Sequence, residues 1–337
     1  MKDLSTSTSR KRVLSGIQPT GEVHLGNYLG ALRQWVHMQD EYECFYVIVD
    51  QHAILGDGDP ADLPTRTIDT AISLLSVGLD PEKCTIFVQS DVPEHLELQW
   101  LFNTVAPVGD LERMTQYKDK AAKYDSIPAG LLNYPVLQAA DILIYRANAV
   151  PVGEDQRQHL EMTRDIARKW NARYGELFPE PDAIIPEVGR VIGLDGDAKM
   201  SKSLKNTIGI LADEEETWSR IKGAVTDPKR IRREDPGRPE VCNVYSLHKL
   251  LSNPAIIPDI KEQCMTAQRG CVDCKRILFD SIIDVIAPIR KKAFYYQQHT
   301  DEVCDILKAG ATRARSIAID TLSEARDRMG LNWTSAL

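Results

Sequence analysis

The chain has 337 residues, 43% hydrophobic and 27% charged, with a net charge of −8. This composition excludes low-complexity and fibrous classes, and the length predicts two domains or one large domain with an appendage. No run reaches the roughly 18 apolar residues of a membrane span, and the acidic balance excludes a protein that coats nucleic acid by bulk charge while leaving room for a local basic face.

The first dozen residues, MKDLSTSTSRKR, lack an apolar stretch, so residues 1–12 read as a disordered tail and not as a secretory signal. Val13–Leu14, Cys44–Val49 and Cys84–Ser90 are short, β-rich and apolar on both sides, which suits strands of a buried parallel sheet. Between them, helices are predicted over Tyr28–Tyr42 and over Thr65–Val77, the latter ended by Gly78. Tyr134–Ala147 has helical spacing at Leu137, Ala140 and Ile144, and AVPVG (149–153) reads as a fourth strand. An amphipathic helix follows from Glu154 until Gly175. A link with Pro179, Pro181 and Pro186 then leads to the lysine-bearing loop GLDGDAKMSKS (193–203). From Asp213 onward strand signals vanish. The alternation predicts an α/β fold, a doubly wound parallel (Rossmann-type) sheet domain over 13–205, followed by an all-helical domain over 206–337. No internal repeat is present.

Two stretches carry chemistry. SGIQPTGEVHLGNYLGAL (15–32) leaves a strand and enters a helix, where unpaired backbone N–H groups and the positive end of the helix dipole meet. Gly21 and Gly26 let a ligand approach the backbone, and His24 and Asn27 bring donors to the same turn; the alternative is a capped turn with no ligand. KMSKS (199–203) sets two lysines three apart among small hydroxyl residues, a loop suited to closing on polyphosphate. Its alternative is a solvated basic loop.

Together these stretches resemble the two nucleotide motifs of class I aminoacyl-tRNA synthetases, with Leu25 and Asn27 as departures from the first motif, His-Ile-Gly-His. YPVLQAADILIY (134–145), VPVGEDQRQHLEMTRDIARKWN (150–171) and GLDGDAKMSKS resemble the bacterial tryptophanyl-tRNA synthetase family over about Val13–Leu331. The related tyrosyl enzymes normally carry Gly-Tyr-Asp where this chain has Ala139–Ala140–Asp141. The resemblance implies activation of L-tryptophan by ATP, with Mg²⁺, and transfer to tRNA(Trp) by a cytoplasmic homodimer without membrane or DNA partners. It implies catalytic roles for His24, Lys199 and Lys202. ATP contacts fall on Gln18, Pro19, Thr20, Gly26, Asn27, Gly153, Glu154, Asp155, Ile192, Lys199, Met200, Ser201, Lys202 and Ser203, with Lys120 as a further triphosphate candidate. Asp141 would accept the indole N–H, while Gln156, Tyr134 and Gln18 would hold the ammonium and carboxylate ends. Gln138 departs from a family methionine against the indole.

The residue chemistry agrees with Asp141. Indole has one donor and an ionised Asp only accepts, so a buried carboxylate rejects phenylalanine by being left unpaired, a discrimination that reaches roughly 10⁴–10⁵. The alternative is a helix-surface carboxylate, which apolar Ala139, Ala140, Ile142 and Leu143 disfavour. Two other classes of reading are a catalytically idle tRNA-binding paralogue or a pantothenate- or nicotinate-type adenylyl enzyme. Intact HLGN, GEDQ and KMSKS stretches oppose the first, and the late KMSKS loop with a helical appendage opposes the second.

Cys242, Cys264, Cys271 and Cys274 form C-x21-C-x6-C-x2-C in the helical half. In a chain whose thiols are expected to be reduced, this clustering points to metal, and four thiolates suit zinc or a [4Fe–4S] cluster equally by spacing. Free thiols are the third reading. A subset of tryptophanyl enzymes carries a similar arrangement with a [4Fe–4S] cluster beside the anticodon-binding region, which the resemblance extends to this chain. Lys229, Arg230, Arg232 and Arg233 precede the first cysteine as a local basic patch, facing tRNA or simply solvated. Cys44 and Cys84 are expected as core residues, and Cys304 as the same on a helix.

Overall fold

The computed structural model describes residues 10–333 except Glu22, Asp57, Lys123, Glu154, Asp155 and Glu187. The expected tail lies outside the described residues up to Ser9, and Arg12 already belongs to strand β1 (Arg12–Ile17). Successive residues of β1 enter different cores. Val13 joins the apolar layer on one face and Leu14 the layer on the other, as a strand buried on both faces requires. β2 (Glu43–Ile48) repeats the pattern, with Cys44, Tyr46 and Ile48 on one side and Phe45 and Val47 on the other.

β3 (Thr85–Val88), β4 (Ala149–Pro151) and β5 (Asp182–Ile184) complete a five-stranded parallel sheet in the order β3-β2-β1-β4-β5. The chain builds outward from β1 to β3, then returns beside β1 with β4. That reversal opens a crevice at the carboxyl ends of β1 and β4, where doubly wound sheets bind ligands. β5 lies within the stretch expected as a Pro-rich link. Two of its three residues are exposed, so it has no apolar signature, and only its pairing with β4 defines it.

The first crossover begins earlier than predicted, at α1 (Leu25–Asn27), continues through a π-helical turn at Tyr28–Leu32 and ends with α2 (Arg33–Met38). α3 (Asp50–Ala53) follows β2, and α4 (Leu63–Ser76) crosses to β3. The segment after β3 holds α5 (Glu94–Asn103), α6 (Val108–Glu112) and α7 (Thr115–Ala121). α8 (Ala129–Leu143) starts five residues before the predicted Tyr134, directly after the extended Pro128. α9 (Arg157–Tyr174) ends at Gly175, whose φ of +94° ends the helix.

Beyond the lysine loop the chain is helical: α10 (Glu214–Gly223), α11 (Asn243–Leu251), α12 (Ile257–Met265), α13 (Cys271–Gln298) and α14 (Thr300–Arg328). α14 returns to the sheet and covers the edge strand β3, protecting it from further pairing. The approach is so close that a Cβ on Gly310 would stand 1.8 Å from the Ile86 carbonyl oxygen. Ala311, Ala314 and Ala318 thereby share one core with Leu14, Phe45 and Val150. A third core joins Leu25 and Met200 to Ile221, Val244 and Leu278 of the helical part.

Candidate active site

A cavity of about 670 Å³ opens at the carboxyl ends of β1 and β4, between Leu14, Ser15 and Gly16 on one side and Val150, Pro151 and Val152 on the other. It brings together six of the residues singled out in the sequence: Gln18, Lys120, Tyr134, Gln138, Asp141 and Gln156. Tyr134, Gln138 and Asp141 come from α8, where a spacing of three to four residues puts them on one face. Gln156 precedes α9, its N–H bonded to the Gly153 carbonyl. Glu154 and Asp155, expected among the ATP contacts, lie outside the described residues.

Asp141 is 2% exposed, yet it is not alone. Its Oδ2 lies 2.8 Å from His52 Nε2, and its Oδ1 lies 2.6 Å from His95 Nδ1 and accepts from Gln89 Nε2 at 2.8 Å. Burial alone would raise this carboxyl's pKa, but the bonds from His52 and His95 outweigh it and hold the group well below the usual carboxylate range. Asp141 is therefore an anion with three donors already in place, and this corrects the expectation that a substrate lacking the indole N–H leaves it wholly unpaired. Such a substrate leaves one lone pair vacant, a milder penalty.

Tyr134 turns its hydroxyl to Gln116 Oε1 (3.1 Å) and His159 Nε2 (2.8 Å), and burial pushes its pKa up to about 12, so it stays neutral. The Lys120 ammonium lies 5.3 Å from the centre of its ring, a cation–π contact at the cavity wall.

The two chemistry-bearing motifs, 15–32 and 199–203, meet beside this cavity. His24 caps α1: its Nδ1 accepts from the Asn27 N–H (3.3 Å), and Asn27 Oδ1 accepts from the His24 N–H (3.2 Å). With the Asn27 carbonyl committed to the cap, its Nδ2 amide keeps the expected donor role. With Nδ1 accepting, His24 keeps Nε2–H as its donor. Burial first, then Lys202 and Lys199, lowers its pKa to about 4, so the ring is neutral at physiological pH.

The lysine loop rises from a short hairpin in which Ile192 pairs with Lys199. Asn206, 4% exposed, ties it internally through bonds to Asp195, the Ser201 N–H and the Lys199 carbonyl. A Cβ on Gly193 would stand 2.1 Å from the Asn206 amide nitrogen, which explains that glycine. The chain after the loop pairs with the first motif, Leu25 donating to Ile208 and Ile210 to Val23. Met200 seats on Gly26, where a Cβ would stand 2.9 Å from Met200 Cβ. Lys202 Nζ donates to the Thr20 carbonyl at 3.2 Å. Residues 174 to 187 positions apart in sequence thus form one cationic turn, of which Pro19 and Thr20 are a part, while Ser201 and Ser203 bond to each other.

The family model described as "tRNA synthetases class I (W and Y)" matches residues 6–287 of the chain. The chain belongs to this family of class I tRNA synthetases. A tryptophan–tRNA ligase of Deinococcus radiodurans is 49% identical over 324 residues, covering 95% of this chain and 98% of that protein. A Thermotoga maritima ligase of the same name is 44% identical, over 95% of this chain and 99% of that protein. Among solved structures, the synthetase resembles the Campylobacter jejuni tryptophanyl-tRNA synthetase complexed with ADP and tryptophan. The TM-score is 0.87 at 39% identity, covering 95% and 99% of the two chains. An Archaeoglobus fulgidus tyrosyl-tRNA synthetase, 18% identical with a TM-score of 0.66, shares the fold.

In the helical part of this synthetase, Cys242, Cys264, Cys271 and Cys274 line one small cavity with Arg230 and Arg269. Among the described residues, no group of three or more His, Cys, Asp or Glu side chains stands in an arrangement to hold one metal ion. The basic patch is corrected in one member. Arg230 turns inward, donating to the Arg233 and Arg269 carbonyls and approaching Cys264 Sγ at 3.7 Å, whereas Lys229, Arg232 and Arg233 are exposed. Cys44 in β2 and Cys84 just before β3 are buried, as expected of core residues. Among the described residues no helix is long and apolar enough to cross a membrane.

Sequence reasoning missed His52, Gln89 and His95, the shell around Asp141. His52 follows β2 and His95 follows β3, and a polar residue beyond the carboxyl end of a parallel strand was the available signal.

Proposed function

We infer that the chain is a tryptophan–tRNA ligase, which activates L-tryptophan with ATP and transfers the tryptophanyl group to the terminal ribose of tRNA(Trp). The observation that carries this reading is a buried, ionised Asp141 in the wall of the cavity of about 670 Å³, beside a cationic turn. The near full-length identity to tryptophan–tRNA ligases supports it. In activation, a tryptophan carboxylate oxygen forms a bond to the α-phosphorus of ATP, and the bond from that phosphorus to the bridging oxygen breaks, releasing pyrophosphate. No side chain must act as nucleophile, so the protein positions the reactants and neutralises charge.

In this reading Asp141 accepts the indole N–H, and Gln156, Tyr134 and Gln18 hold the ammonium and carboxylate. Gln138 shapes the wall beside the ring. Neutral His24, with Nε2–H as donor, joins Lys199, Lys202 and Lys120 on the triphosphate. Thr20, Gly26, Asn27, Gly153 and Ile192 frame the nucleotide. Mg²⁺ would come with ATP, held by substrate phosphates and water as is usual for this ion. Tryptophan-dependent exchange of labelled pyrophosphate into ATP tests the reading. No exchange with tryptophan, or equal exchange with tyrosine, overturns it and favours the idle or tyrosyl alternative.

We further assign residues 13–205 to catalysis and 206–337 to anticodon recognition, in a cytoplasmic homodimer. Exposed Leu96 and Trp100, one turn apart on α5, support an apolar self-association face. A mass near 38 kDa in light scattering, independent of concentration, would contradict the dimer.

Four thiols around one cavity fit a group with four thiolate ligands. Cys242, Cys264, Cys271 and Cys274 would hold a [4Fe–4S] cluster, with zinc as the alternative. Zinc draws four sulfurs to about 2.3 Å from one point, whereas a cluster spreads them over four irons, so iron and sulfide content separates the two. Inward-turned Arg230 would pair with the anionic assembly. When bound, the group supplies folding free energy to the segment that carries Lys229, Arg232 and Arg233. Protein purified without oxygen should contain iron and sulfide, and a Cys271→Ser, Cys274→Ser variant should keep activation and lose tRNA charging. Equal loss of both activities, or full charging by metal-free protein, counts against this role.

A further inference from the structure

The carboxylate of Asp141 offers about four lone-pair positions. Gln89 Nε2 and His95 Nδ1 occupy both positions on Oδ1, at 2.8 and 2.6 Å, while His52 Nε2 occupies one on Oδ2 at 2.8 Å. Each must donate, because an ionised carboxylate only accepts. The orientation of the Gln89 amide is set independently: its Oε1 accepts from the Gln51 N–H at 3.2 Å, which leaves Nε2 for Asp141. One position remains, on Oδ2. His52 and Asp141 line the cavity, whereas His95 and Gln89 do not, so the saturated oxygen is served from behind and the open one lies on the cavity side.

His95 is held in a form that can only donate to Asp141. Its other nitrogen, Nε2, lies 2.7 Å from the Tyr145 hydroxyl. A neutral ring that donates through Nδ1 accepts through Nε2, so the order runs Tyr145 O–H to His95 to Asp141. Both side chains are fully buried. Phe87 stands edge-on to both rings, and Phe45 stacks on Tyr145 at 4.8 Å. Next to His95, Glu94 accepts from Arg315 Nε at 2.9 Å, so α14 anchors the end of α5 that carries the imidazole.

We propose that His95 is a positioning residue that determines ring specificity: by filling Oδ1 it fixes the carboxylate so that the open lone pair of Oδ2 is aimed at the substrate's ring N–H. This rests on the reading of Asp141 as the indole acceptor. Removing His95 would free the carboxylate to turn, and the preference for a ring that can donate would fall.

The test compares tryptophan with 3-(benzothiophen-3-yl)alanine, in which sulfur replaces the ring N–H, by kcat/KM in pyrophosphate exchange. In His95→Leu the preference for tryptophan should drop by about tenfold or more, the scale of one hydrogen bond to a charged group, mainly through the tryptophan KM. The analogue's kcat/KM should change little. His95→Asn puts an amide N–H near the place of Nδ1–H and should restore most of the preference. His95→Gln, closer to histidine in volume, puts its amide near Nε2 and should not. A role in packing alone would lower both substrates together and favour Gln over Asn; either result overturns the proposal. If His95→Leu does not fold, the Asn and Gln pair decides by itself. A wild-type enzyme without preference for tryptophan overturns the assignment of Asp141, whereas a wild-type preference that survives in His95→Leu overturns only the role of His95.

Discussion

The two sides of the site are built in opposite ways. The side proposed for phosphate uses backbone groups of a turn and exposed lysines on a loop, joined by contacts such as Met200 against Gly26 and Lys202 on the Thr20 carbonyl. The side proposed for the amino acid uses a buried anion, Asp141 of α8, whose donors come from the segments that follow β2 and β3. A triphosphate presents many equivalent oxygens, so flexible point charges suffice. An indole ring presents one N–H, so its acceptor must be aimed, and aiming requires every other lone pair to be occupied.

The sharpest way to break this comparison is at Lys202. Lys202→Ala should slow activation by roughly 10²–10³, the scale for losing one preorganised transition-state contact. Tryptophan binding by equilibrium titration should be nearly unchanged. Loss of tryptophan affinity at a preserved rate would place the loop on the wrong side of the site. Asp141→Asn should show the reverse pattern, with the tryptophan KM rising roughly 10- to 100-fold, as for a charged hydrogen bond, and the ATP KM little altered. An unchanged tryptophan KM would remove Asp141 from the pocket's chemistry.

Gly26→Ala tests whether the two phosphate motifs act as one. Its Cβ would meet Met200 Cβ at 2.9 Å and His24 Nδ1 at 3.0 Å, so the loop must shift. We expect a fall in activation rate on the order of tenfold, as for small misplacements of a positioning group, with tryptophan affinity retained. Wild-type rates would show that the contact does not transmit to phosphate.

The smallest expected effect is the pH response of His24. Burial, then Lys202 and Lys199, lowers its pKa from 6.5 to about 4, so the folded protein favours the neutral ring. The unfolded chain therefore takes up the proton first as pH falls. The ring's contribution to stability is full above 6.5 and is lost as pH drops from 6.5 through about 4. His24→Asn should lose fewer degrees of melting temperature over that window than wild type. An equal loss would locate the acid sensitivity elsewhere.

Much of this was legible in the chain itself. Alternating short apolar runs and helical periods predicted the parallel sheet, and Gly26, His24 and the two lysines marked the turn and loop that the fold brings together, because local spacing is what backbone turns and loops require. Asp141 was legible as a carboxylate on an apolar stretch. The strand β5 was not, since its residues are half solvated and only the ladder to β4 makes them a strand. Nor was the extent of α14's return to the sheet, visible only in how closely Gly310 meets Ile86.

What the sequence determined by itself was therefore the set of elements and the chemistry of the residues at their ends, which depend on neighbours a few positions away. The tertiary structure alone decided which oxygen of Asp141 stays open. His52, Gln89 and His95 reach it, with Tyr145 behind His95, from segments up to 93 positions apart, counted from His52 to Tyr145. No local pattern encodes that convergence, because a hydrogen-bonding direction is fixed only when all the donors around a buried carboxylate are packed at once.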